Sequence, residues 1–357
     1  MNTNTDFHRQ LNEQLAVYFR AQRNGRYANG TMWLKIALLL VLWVGTWGAA
    51  LFIPMPDYVV VLLAFVHVLS HLSIILNIAH DAGHGAISRH SWLNKLLTYT
   101  FDLVGVSSYL WIRSHNLTHH HHTNVLGADD AIQGYGVIRY SPHAEWKPFF
   151  RLQHLYAPLV YAAISANYVF RKDFVNFYRL LRYETNPPWG EFSIMLAMRM
   201  FYIAYMVVIP VIVLPYPFWQ IALVLMAAHA LLGQMIAVIQ AGHMHDGAVF
   251  PPDTRIAISD ASHVMQTTID YAVDSRLMDT LMGNINLHVI HHLRPGICHT
   301  HYRTLTRMVK EVAAATGLPY RYVDSFWHAY RLHYRLLRQL AQPDATVIVS
   351  PVHTAAA

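Results

Sequence analysis

Four long apolar runs dominate the chain: Met32 to Ile53, Tyr58 to Ala79, Ser193 to Leu214 and Phe218 to Ala241. Each is about 20 residues or more, and at about 1.5 Å rise per residue that length crosses a hydrocarbon core of about 30 Å. The pattern predicts four transmembrane helices. Two further segments, Trp92 to Trp111 and Phe149 to Phe170, are apolar but interrupted by Lys95, Asp102, Arg151 and His154. Such charges suit helices that lie along the membrane interface or pack beneath the spans.

The connections within the two span pairs, Pro54-Met55-Pro56-Asp57 and Pro215-Tyr216-Pro217, contain no Lys or Arg. Basic residues gather on the other side: Arg9, Arg20, Arg23 and Arg26 before the first span, Arg171, Lys172, Arg179 and Arg182 before the third, and Arg255 onward after the fourth. The positive-inside rule then places both termini and every long segment in the cytoplasm. The expected organisation is a cytoplasmic N-terminal segment over 1–30, a membrane domain over 31–320 and a cytoplasmic C-terminal helix and tail over 321–357. Met1 to Tyr27 has no apolar signal core, so the first run reads as a retained anchor. The tail from Gln342, with its prolines and terminal alanines, is expected to fray.

Composition strengthens the membrane reading. The chain is 54% hydrophobic and only 13% charged, against about 25% charged residues in a soluble domain. Its formal charge of +6 suits an anionic leaflet or an acidic protein partner and gives no specific indication of nucleic acid. Cys298 is the only cysteine, which excludes an intrachain disulfide, a cysteine-rich zinc site and a cysteine-ligated iron–sulfur cluster.

Histidine is the unusual residue here, with 25 copies. Nine of them stand at metal-ligand spacing: His80 and His84, then His115, His119 and His120, then His243, then His288, His291 and His292. Residues three or four apart share one face of a helix, so each group can aim imidazoles at a common point. All four groups fall on the predicted cytoplasmic side. Nine imidazoles exceed the needs of one four- or six-coordinate ion, which points to two ions. Several histidines with open positions at a membrane suit iron and dioxygen chemistry on a lipid-soluble substrate, and spacing alone leaves copper open. A zinc hydrolase would want His-Glu-x-x-His, and haem would leave most of these histidines unexplained. None of the five glutamates (Glu13, Glu145, Glu184, Glu191, Glu311) has a histidine three residues on, so the Glu-x-x-His pattern of soluble di-iron bundles is absent. Asp81, inside the first group, is expected to orient an imidazole. His67, His71 and His229 lie within spans and would suit a metal transporter or sensor, but transport ligands belong near the bilayer midplane, away from the spaced groups.

The flanking residues sharpen this. Asn77-Ile78-Ala79-His80-Asp81-Ala82-Gly83-His84-Gly85, His115-Asn116-Leu117-Thr118-His119-His120 with Thr123-Asn124 and Gly127-Ala128-Asp129-Asp130, Gly283-Asn284-Ile285-Asn286-Leu287-His288-Val289-Ile290-His291-His292-Leu293-Arg294-Pro295, and Gly317-Leu318-Pro319-Tyr320 resemble the three histidine boxes and closing segment of the membrane fatty-acid desaturases. The resemblance covers roughly Asn77 to Tyr320. It implies an all-α integral membrane protein with four transmembrane helices and a cytoplasmic helical cap holding a histidine-ligated di-iron site. The implied ligands are His80, His84, His115, His119, His120, His288, His291 and His292, with His243 as the extra histidine and His245 as its alternative. His121 and His122 extend the second box. Three positions depart from patterns seen in family members: His288 stands where some have glutamine, Arg294 where an aromatic is usual, and Ile239 where some have asparagine.

By the same resemblance, two iron ions and O2 as co-substrate would remove two hydrogens from adjacent methylenes of a fatty acyl chain. Hydroxylation or acetylene formation on the same scaffold is the alternative outcome. The acyl group would ride on a membrane lipid, coenzyme A or a carrier protein, in a narrow apolar tunnel for which Tyr109, Trp111, Trp146 and Tyr271 are candidate lining residues. Electrons would come from a separate ferredoxin, rubredoxin or cytochrome b5-type donor, with the arginines at 9–26 and 303–307 as a candidate docking surface. The bacterial inner membrane is the expected location.

Overall fold

The computed structural model describes residues 3–252, 260–345 and 353–354. Arg255 and the tail beyond residue 345, apart from His353 and Thr354, lie outside the described residues. Among the described residues four helices are long and apolar enough to cross a membrane: Gly30–Phe52, Asp57–Gly83, Trp189–Val213 and Phe218–Gln240. The short proline-bearing connections close one end of the bundle. Most of the other described residues form a cap at the other end, so the protein is a multi-span, mostly helical membrane protein with very little strand.

The second span continues past the expected end at Ala79, and this continuation carries the first histidine box. A π-helical segment, Ile75–Ala79, precedes His80, whose N–H reaches back to the Ile75 carbonyl. Such one-turn expansions recur at functional sites because they rotate the residues that follow. Asn77 fixes this one: its amide donates to the Ser73 carbonyl at 2.8 Å and to the Leu281 carbonyl of the cap at 3.1 Å. The cap loop comes so near that a Cβ on Gly283, whose φ is +56°, would stand 2.5 Å from the Leu76 carbonyl oxygen. Only glycine accepts both that φ and that approach.

Neither of the two interrupted apolar segments forms a helix long and apolar enough to cross. The first breaks into the short helices Ser91–Thr98, Thr100–Leu103 and Ser108–Ile112. The second becomes Gln153–Ala162, Ile164–Asn167 and the π-helical Tyr168–Lys172, leading into Asp173–Tyr183. Leu155, Leu159 and Phe170 remain exposed on it, an apolar face for the interfacial region of the bilayer. A buried ion pair ties both segments to the third span: Arg199 donates to Asp173 Oδ2 at 2.6 Å and to the Tyr168 carbonyl at 2.8 Å, and Asp173 also accepts the Ser107 N–H at 2.8 Å.

The N-terminal helix Thr3–Arg20 is amphipathic and docks on the cap. Phe7, Leu11 and Leu15, one turn apart, are buried against Leu305, Val309 and Val312 of helix Tyr302–Thr316. Burying each such side chain stabilises the docked state by about 1.5–3 kcal/mol. Arg294 adds a polar latch by donating to Asn12 Oδ1 at 2.7 Å. A basic residue at this position therefore holds the N-terminal helix. The C-terminal helix Phe326–Gln339 is capped by Ser325 and buries Ala329, Leu332, His333, Leu336 and Leu337. A small sheet stitches the cap: β1 (Asp270–Tyr271) pairs parallel with β2 (Arg321–Val323), which pairs antiparallel with β3 (His353–Thr354).

Candidate metal centre

Four separate stretches deliver the nine spaced histidines to one place. His80 and His84 end the second span, His243 follows the fourth, and His288, His291 and His292 lie on the six-residue helix His288–Leu293. The second box sits on another π-helical segment, Arg113–His119, in which the His120 N–H reaches the His115 carbonyl five residues back. That expanded turn brings His115 and His120 together, with Nε2 atoms 3.1 Å apart. His119 is left facing elsewhere.

The result is two groups of four imidazoles. His80, His84, His115 and His291 form one group, and His119, His243, His288 and His292 the other; in each, the candidate ligand atoms lie within 4.8 Å of one another. His120 stands between the groups, within the same reach of His291 and His292. Both groups could hold a metal ion. His121 and His122 join neither, and His245 turns away to the Asp246 carbonyl at 3.1 Å.

The outer nitrogens determine what the inner ones can do. His243 Nδ1 lies 3.1 Å from the Thr267 carbonyl and His288 Nδ1 2.9 Å from the Ile285 carbonyl. A carbonyl oxygen only accepts, so both Nδ1 atoms carry the proton and both Nε2 atoms present lone pairs. Yet His243 Nε2 is 2.7 Å from His288 Nε2 and 2.8 Å from His292 Nε2. Converging lone pairs at such distances repel unless a cation lies among them. In the other group, His84 Nε2 and His291 Nε2 are buried without a hydrogen-bond partner. Neutral imidazoles with their Nδ1–H groups tied outward suit a first-row transition metal.

Electrostatics agree. Burial depresses His84, His115, His120, His243, His291 and His292 well below the ordinary imidazole value, and His288 to about 3, with neighbouring imidazoles adding to the effect. Desolvation disfavours the charged ring, so each stays neutral and able to ligate at neutral pH.

Around the histidines lies a layer that their spacing does not announce. Asp129 receives His119 Nδ1–H at 3.1 Å and also accepts the N–H groups of Asn124 and Ala131, at 2.9 and 2.8 Å. Asn124, with φ of +62°, donates to the His243 carbonyl at 3.1 Å. The Thr-Asn and Gly-x-Asp segment after the second box thus holds that box to His243. Tyr302 meets His291 Nδ1 at 3.2 Å. Asp81 orients an imidazole as expected, but it is His299, whose Nδ1 is 2.8 Å away, while His80 Nδ1 stands at 3.9 Å. Asp270 accepts the Val289 N–H at 2.7 Å, starting the third-box helix, and its other oxygen accepts from the Tyr320 hydroxyl of the closing segment. Burial raises Asp270 to about 6.

A cavity of about 660 Å³ runs from the histidines into the span bundle. His80, His115, His119, His243 and His288 form one part of its wall; Leu72, Ile75, Val104, Leu232 and Ile236 are among its apolar lining. Trp111 lines it too, stacked on His115 with ring centroids 4.2 Å apart. The other three aromatic candidates do not: Tyr109 packs on Arg113, Trp146 donates to the Ala341 carbonyl, and Tyr271 is buried within strand β1.

Residues 58–324 match the family model described as fatty acid desaturase. The sn-1 linoleoyl-lipid 6-desaturase of Synechocystis sp. is 30% identical over 346 residues, covering 94% of this chain and 96% of the relative. A protein of the same name from Arthrospira platensis is 29% identical over 350 residues, covering 96% and 95%. The acyl-lipid (8-3)-desaturase of Mortierella alpina is 26% identical over 356 residues, covering 94% of this chain and 78% of its own.

Proposed function

This chain belongs to the fatty acid desaturase family, and on that premise we propose that it is a di-iron, O2-dependent desaturase acting on the acyl chain of a membrane lipid. Its being an oxidoreductase of acyl chains follows from the family. The iron, its ligands and the carrier of the acyl group are our reading. The observation that carries it is the convergence of Nε2 lone pairs in two four-histidine groups, with His120 between them.

We assign His80, His84, His115 and His291 to one iron, His119, His243, His288 and His292 to the other, and His120 to the space between them. Iron bound there would supply the oxidant for taking one hydrogen from each of two adjacent methylenes, with O2 as co-substrate. The chain supplies the rest. Backbone carbonyls at Thr267 and Ile285, the Asp129 carboxylate and the Tyr302 hydroxyl fix the outer nitrogens of His243, His288, His119 and His291. The largely apolar cavity wall would constrain the acyl chain beside the histidines. Trp111 and Phe101, 4.3 Å apart, back the His115 ring.

Electrons come, on this reading, from a separate ferredoxin, rubredoxin or cytochrome b5-type donor. Both termini and the cap face the cytoplasm on this reading, as the distribution of basic residues supports, and the membrane is read as a bacterial inner membrane. Purified protein in lipid nanodiscs should contain about two irons per chain by elemental analysis. Given reductant, donor and a labelled acyl lipid, it should yield an alkene by mass spectrometry. Stoichiometric zinc without iron would overturn the reading.

A further inference from the structure

Away from the histidine layer, the cavity wall is not uniformly apolar. His71 of the second span, Tyr202 of the third and His229 of the fourth line it together. The His71 ring lies 6.2 Å from that of Tyr202 and 6.3 Å from that of His229. His229 Nδ1 is 2.8 Å from the Leu225 carbonyl, so it carries the proton, and Tyr202 donates its hydroxyl hydrogen to His229 Nε2 at 2.8 Å. This leaves the Tyr202 oxygen with lone pairs to accept a further bond. His71 is 1% exposed, and its Nε2 has no hydrogen-bond partner among the described residues.

Behind His71 stands His67, the rings 5.1 Å apart. His67 lines a second cavity, of about 380 Å³, toward the end of the bundle closed by the short connections. The two imidazoles therefore form a polar partition between two apolar chambers. A hydrocarbon terminus would leave the inner nitrogen of that partition unpaired, which is costly where no water reaches. A group that both donates and accepts would satisfy His71 and Tyr202 together.

We propose that His71 and Tyr202, backed by His229, form a hydrogen-bonding subsite for a hydroxyl group carried on the substrate's acyl chain, about 13 Å along the second span from His80. The subsite sets specificity by fixing how far the reacting methylenes stand from that oxygen. It rests on the reading of the cavity as the acyl channel.

The test uses the full chain in nanodiscs with metal removed by chelation, so that binding is read independently of turnover. Octadecanoic acids with the hydroxyl moved stepwise along the chain, and stearic acid itself, compete with a fluorescent fatty acid. Hydroxyls within a narrow window of positions should bind about tenfold more tightly than stearic acid. Tyr202→Phe and His71→Leu should each lose that advantage while still binding stearic acid, which also reports that they have folded. A flat profile in the wild-type protein, or an advantage that survives both substitutions, overturns the subsite and leaves the channel standing. Failure of every acid to bind overturns the channel and the subsite together.

Discussion

His243 and His288 point their inner nitrogens at each other across 2.7 Å while both outer nitrogens are tied to backbone carbonyls. Neither ring can turn to relieve the approach without abandoning its carbonyl. The pair suits a cation held between the two rings, and so close an approach makes the second histidine group sensitive to small displacements.

Gly242 tests that sensitivity, since a Cβ there would stand 2.9 Å from His288 Cδ2. Gly242→Ala should push the His288 ring aside, lowering iron from about two toward one per chain and turnover by at least about tenfold. Elemental analysis after size-exclusion chromatography measures both the metal and the folded yield. Two irons retained at full turnover would show that the packing gives way at no cost.

Asp129→Asn should weaken metal binding by about 10- to 100-fold, the usual effect of altering a carboxylate behind a histidine ligand. The amide still accepts one hydrogen bond but supplies no charge behind His119. Titration of the metal-free protein with Fe(II) under anaerobic conditions gives the ratio, and an unchanged affinity would remove Asp129 from the support of that ligand.

Acid should destabilise the cap. Several buried histidines, His288 at about 3 among them, have folded values below the ordinary 6.5. The unfolded chain therefore takes up protons first as the pH falls, so their contribution is complete above about 6.5 and is lost progressively below it. The thermal midpoint of the metal-free protein in detergent should drop between pH 7 and pH 5, with iron leaving the loaded protein over the same range. A midpoint flat across that interval would contradict the burial of these rings.

Arg199→Met should cost about 3–5 kcal/mol, because it strands the Asp173 carboxylate in a buried site. Burial already raises Asp173 against the pull of Arg199. Replacing both, as Arg199→Met with Asp173→Leu, should recover part of the loss, which a denaturation series in mixed micelles would resolve. Equal losses in the single and double variants would mean that the Ser107 and Tyr168 contacts, not the charge pair, carry the stability.

The four spans were legible because an apolar run of span length needs no long-range partner to be recognised. The histidine boxes were legible for the same local reason. The division of the second box was not: His115 and His119 share a helix face at α-helical spacing, but the π-helical turn sends them to different groups and brings His120 toward His115. The extension of the second span past Ala79 rests on another such turn, held by an Asn77 contact 204 residues away. The carbonyls that orient His243 and His288 carry no residue signature at all, and Tyr302 under His291 reads as an ordinary aromatic. Arg294 departs from the usual aromatic in sequence, and only the docked N-terminal helix explains its role there.

Both four-histidine groups draw on the helix His288–Leu293: His291 completes one, and His288 and His292 complete the other. During synthesis, then, neither can close until the chain has emerged past His292, after all four spans are made. The order of residues along the chain works as a timer, delaying assembly of both histidine groups until the spans beneath them have been synthesised.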